Sequence, residues 1–234
     1  MAIAVLFMIG SACFALGTMP WYVNAVGDVP DAITFFVGSI FFTAASFAQL
    51  LQAQSPAMVP PPDGDDHTRR VVVVRAWVPH DRGWLAAATQ FPGTLAFNAS
   101  TAFAIATTLT EAQTHRLVWV PDFVGSILFL VSSGFAILAL GPLLELEPGS
   151  LAWEISWLNM IGSVFFMVSA IASYVLPGSS RAVDPRWANL GTFLGALCFF
   201  AGAGLMLPEW THAVRRARGG PAPDDVAVAS ARGT

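Results

Sequence analysis

The chain contains no lysine: all eleven basic residues are arginine. Without a lysine amine there is no Schiff-base chemistry, so retinal and pyridoxal linkages are excluded. Charge of either sign is scarce as well. Only 11% of the 234 residues are charged, against about 25% in a soluble globular chain, too few to cover a water-facing surface. Cysteine is limited to Cys13 and Cys198, both inside apolar runs, which points to small apolar packing and not to a disulfide framework or a CxxC metal site. A net charge of −4 with scattered arginines offers no basic face for nucleic acid. There is no GxSxG, P-loop or GxGxxG motif. His67, His80, His115 and His212 fall in expected loops or the tail, with no i, i+4 pair to hold a metal and none inside a span to hold a haem. Asp65-Asp66-His67 with His80 and Asp81 reads as a flexible loop and not as a metal site. No catalytic residue, metal or cofactor is expected.

What is present is apolar surface. The chain is 55% hydrophobic with a mean hydropathy of +0.63, so lipid must cover it. Six uncharged runs are long enough to span a bilayer: Ala2–Val23, Ala32–Ala53, Trp84–Thr110, Phe123–Leu144, Ile155–Leu176 and Trp187–Pro208. The first run lacks an n-region arginine and a lipobox leucine and is too long for a signal peptide, so it reads as a retained helix. By alignment with Trp84 and Trp153, Met1 stands at a helix start, which predicts a short segment upstream.

Arginine placement sets an expected orientation. With the N-terminus inside, the inner segments hold Arg69, Arg70, Arg75, Arg82, Arg215, Arg216, Arg218 and Arg232, and the outer loops hold Arg116, Arg181 and Arg186. Both termini are therefore expected in the cytoplasm of a multi-pass inner (plasma) membrane protein. Trp84, Trp119, Trp153, Trp187 and Trp210 stand near span ends as interfacial anchors. The Pro-rich segment 54–83 and the tail 211–234 are expected to be partly disordered and cytoplasmic, with Val71–Val74 either a short strand or an interfacial segment.

Each run carries the same short motif, a glycine followed four residues later by phenylalanine: Gly10/Phe14, Gly38/Phe42, Gly93/Phe97, Gly125/Phe129, Gly162/Phe166 and Gly195/Phe199. Paired glycines stand 28, 32 and 33 residues apart, and the second and third pairs are offset by 69 to 70. The expected fold is therefore an all-α membrane bundle of about six helices in three repeated hairpins, 1–53, 84–144 and 145–210. Glycine and phenylalanine four apart share a helix face, so Gly10, Gly38, Gly93, Gly125, Gly162 and Gly195 are expected to let backbones approach.

The apolar hairpin with F-x-x-G-S-x-x-F character, clearest in Phe35-Phe36-Val37-Gly38-Ser39-Ile40-Phe41-Phe42 and Phe123-Val124-Gly125-Ser126-Ile127-Leu128-Phe129, resembles the bacterial YrhK-like membrane proteins. The third hairpin departs from it with Ala196 in place of serine. The resemblance covers most of the membrane region and implies no activity for any residue here.

A polar path can be drawn through Asp31, Asn98, Asp122, Glu154, Asn159 and Asp184. Plainer roles compete for each. Glu154 suits the first turn of a helix, where its charge favours the macrodipole. Asn98, Gln49, Gln90 and Asn159 can bond between helices. Asp31, Asp122 and Asp184 adjoin prolines, as helix starts do, or could form an acidic ring at a channel mouth. A scaffold or accessory membrane protein, partnered by the bilayer and by a second copy or another membrane protein, ranks first. A small channel or transporter ranks second, and a membrane enzyme last.

Overall fold

In the computed structural model, residues 1–55, 76–141, 150–176, 178 and 182–217 are described, with side chains to 208. The Pro-rich stretch with Arg69, Arg70 and Arg75, Val71–Val74, Asp65-Asp66-His67, Arg181, Arg218, Arg232 and most of the tail lie outside them. Among the described residues the chain is helical, with one isolated bridge between Val175 and Ala182. The helices are α1 (Ala2–Gly17), α2 (Pro20–Val26), α3 (Asp28–Gln54), α4 (Arg82–Ala104), α5 (Glu111–Thr114), α6 (Val120–Ala139), α7 (Leu151–Ala172) and α8 (Pro185–Ala217). A π-helical turn, His115–Trp119, joins α5 to α6.

Four helical runs are long and apolar enough to cross a membrane: Asp28–Gln54, Glu111–Ala139, Leu151–Ala172 and Pro185–Pro208. A bent pair, α1 with α2, makes a fifth if taken as one span. Two of the expected runs are thus corrected. The first is not continuous, because Pro20 starts a new helix turned by 80°, as a residue without an N–H cannot continue the ladder. The third ends at Ala104, not Thr110, and α4 with its Gln90, Pro92 and Asn98 falls short in apolarity.

Side chains fix where the helices begin. Asp81 Oδ1 accepts from Trp84 N at 2.9 Å, and Ser150 Oγ from Trp153 N at 3.3 Å. Asp184 Oδ1 accepts from the backbone of Arg186 and Trp187 at the head of α8. These acceptors satisfy N–H groups that have no partner within their helices.

The six long helices close a ring: α1 packs on α3, α3 on α4, α4 on α6, α6 on α7, α7 on α8, and α8 back on α1. Packing within it is inside-out relative to a soluble protein. Ser39 and Ser163 are fully buried, while their neighbours Ile40 and Val164 are 46% and 47% exposed. Branched aliphatic side chains turn outward, as lipid allows, and small residues turn inward, where helices need to approach.

Paired helices meet at their glycines. A Cβ on Gly10 would stand 2.6 Å from Phe42 Cδ2 and 2.9 Å from Gly38 O, and one on Gly38 would stand 3.0 Å from Phe14 Cδ2. The same crosswise contact joins Gly93 to Phe129 and Gly125 to Phe97, and then Gly162 to Phe199 and Gly195 to Phe166. Each glycine thus leaves the space that the partner helix fills with a ring.

Those six rings meet on the axis. Phe42, Phe129 and Phe199 form a triangle with centroids 5.5–6.3 Å apart. Phe166 joins Phe14 and Phe97 in a second layer at 6.1 and 6.0 Å. Contacts of 5.1–5.5 Å tie the layers together within each helix pair. Aromatic pairs in edge-to-face or offset geometry contribute about 0.5–1.5 kcal/mol each beyond burial. The result is an aromatic plug, buried among small residues.

Candidate functional site

On either side of the plug the ring opens into a cavity. The one at the α2 end has a volume of about 320 Å³ and owes its shape to the start of α6. Thr110 and Gln113 form a capping box that begins the helix at Glu111, twelve residues before the expected Phe123. Pro121 then interrupts the ladder, because it has no N–H to give to Leu117 O. The helix widens just before it: Val120 N donates to His115 O, five residues back. Such π-turns redirect side chains and often occur at functional sites. Here His115 stacks on Trp119 (centroids 5.0 Å, 20°), and Trp119 stacks on Phe123 (5.0 Å, 14°). Tyr174 meets His115 and Trp119 edge-on, and Trp119 Nε1 donates to Ala170 O at 2.8 Å. The stack holds α6 against α7 and leaves Asp122 on the cavity wall.

The Asp122 carboxylate is half-buried, and among the described residues no hydrogen bond or ion pair reaches it. Around it stand Thr101, Ser169, Ser173, Asn189 and Thr192. Beneath it a void of about 30 Å³, room for a single water, lies against the plug between Asp122, Ser39, Ser169 and Thr192. The opposite cavity, about 200 Å³, is lined by Gln49, Gln90, Ser156 and Asn159 above Phe7 and Phe199. Its Gln49 Oε1 is buried without a partner, whereas Gln90 Oε1 accepts from Ser132 at 3.3 Å.

The six residues of the expected polar path are dispersed. Asp122 lines the α2-end cavity and Asn159 the opposite one. Asn98 ties α4 to α3 by donating to Thr43 Oγ1 at 2.8 Å, and its Oδ1 is buried without a partner. Asp31 and Glu154 occupy the first turns of α3 and α7, and Asp184 caps α8. The three aspartates line no common cavity, and among the described residues no group of three or more His, Cys, Asp or Glu could hold a metal ion.

One sequence expectation is corrected here: His115 is helical, not in a loop. Trp84, in the first turn of α4, is buried at 6% exposure. The sequence reading also missed Ser173, Asn189 and Thr192. Thr110 with Gln113, a capping pair, was the available signal that helix begins before Phe123. No family model, no curated protein and no solved structure matches this chain.

Proposed function

We propose that the chain is a six-span membrane protein of three successive hairpins and that it serves as a small scaffold or accessory protein, with no catalytic site. The observation that carries this reading is the plug: one phenylalanine from each long helix fills the axis between the two cavities. α1 and α4 fall short as spans on their own, but each lies in the ring between two helices that are long and apolar enough to cross, which supports their crossing the bilayer with them. The likeness to YrhK-like proteins belongs to the same reading and assigns no activity. A second copy or another membrane protein would dock on the outward aliphatic faces.

The arginine distribution supports cytoplasmic termini in the inner membrane. Reporter fusions after Arg75 and Arg218 should both be active only in the cytoplasm; periplasmic activity at either position sinks the orientation or the span count.

A transporter is the second reading, favoured by the two polar cavities on opposite sides of the plug. Proteoliposomes decide between them. Sodium, potassium and proton fluxes through the wild-type chain are expected to equal those of empty liposomes. A flux above that level, lost in Asp122→Asn while its melting temperature is unchanged, would establish the transporter instead.

A further inference from the structure

We infer that the α2-end cavity is a binding site for a small primary ammonium ion, whose charge pairs with Asp122. The argument starts from a charge without a partner. Asp122 stands in the first turn of α6, with its carboxylate half-buried in the cavity wall. A carboxylate withdrawn from water is costly unless it is paired or protonated, and no arginine lines this cavity. A cation from outside the chain would complete the pair.

The rest of the wall presents acceptors. Thr101 Oγ1 lies 2.8 Å from Phe97 O and 2.9 Å from Ser39 Oγ, both within the protein, and Ser173 Oγ donates to Ala170 O at 3.0 Å. Ser169 and Thr192 share a bond of 2.7 Å and both reach Ala188 O. A hydroxyl has one proton and two lone pairs, so these groups direct their protons into the protein and turn lone pairs to the cavity. The indole N–H of Trp119 is engaged by Ala170 O. Ser100, Thr114, His115 and Asn189 can still donate or accept. An ammonium group carries three donors and no acceptor, which matches such a wall. Phe14 and Phe35 supply apolar and aromatic surface for its carbon chain and for cation–π attraction. A volume of about 320 Å³ exceeds what a bare metal ion fills and suits an amine of a few carbons. Glu111 and Arg116 flank the neighbouring opening, which shares His115 and Val175.

The test uses the full chain in detergent at pH 7, titrated with n-butylammonium chloride, n-butanol or sodium chloride and followed by calorimetry and thermal melting. Saturable binding and a raised melting temperature are expected with n-butylammonium alone. Asp122→Asn is expected to weaken that binding by about tenfold or more, the loss of one charge-assisted hydrogen bond. Ser173→Leu fills the cavity without touching the carboxylate and should abolish binding too. An equal response to n-butanol leaves only an apolar hole, and an equal response to sodium chloride leaves only an ionic effect. Either result overturns the proposal, as does undiminished binding in Asp122→Asn. If that variant does not fold, undiminished binding in Ser173→Leu overturns it.

Discussion

Phe129→Ala is expected to destabilise the bundle by about 3–5 kcal/mol, the usual range for truncating a buried phenylalanine. Phe129 is 1% exposed and touches the rings of Phe42, Phe97, Phe166 and Phe199. Its loss removes contacts with four of the other five rings in the plug. Lipid cannot refill the gap, because the ring of helices surrounds it. Phe129→Leu keeps most of the volume and should cost less than half as much. Unfolding in mixed detergent micelles by increasing dodecyl sulfate measures both, and equal midpoints for wild type and Phe129→Ala would refute a plug that holds the helices together.

Gly191→Ala is the second large expected effect, produced by a single methyl group. A Cβ there would stand 2.7 Å from Phe165 O and 2.9 Å from Ser169 N. Both are backbone atoms of α7, so the neighbour cannot yield by rotating a side chain. The helices must separate, at a cost of about 1–3 kcal/mol, as for other overpacked sites. Gly134→Ala in α6 is the control, since a Cβ there meets nothing within 4 Å. That variant should match wild type or exceed it, because alanine is the better helix former by about 1 kcal/mol. The same micelle titration applies, and a Gly191→Ala midpoint no lower than that of Gly134→Ala would contradict the close approach of α7 and α8.

Gly191 also marks what the sequence could and could not convey. The motif glycines were legible because each recurs with a phenylalanine four residues on, and that spacing places both on one helix face. Gly191 has no such partner, and its contact is with backbone, which no side-chain pattern reports. Apolar length revealed α3, α7 and the start of α8 to within a few residues, but it missed the last nine residues of α8, which carry charge. It misled at Pro20, where the hydropathy continues through an 80° bend, and at Phe123, where a helix had already run for twelve residues. Asp122 stands out in the sequence beside Asp31 and Asp184 for its proline, yet what distinguishes it is the cavity that α4, α7 and α8 build around it. That grouping depends on tertiary packing, and neither spacing nor composition carries it.

The ring closes between its first and last members. α1 ends at Gly17 and α8 begins at Pro185, so the ribosome must make the intervening chain before α1 can meet its second neighbour. At about 5–20 residues per second, that interval is on the order of 10–30 s. Throughout it α1 has one flank uncovered and is held to α3 by the crossing of Gly10 with Phe42 and Gly38 with Phe14. Assembly in the cell is thus ordered by synthesis, and a quality-control protease would find its opportunity at the α1–α8 seam.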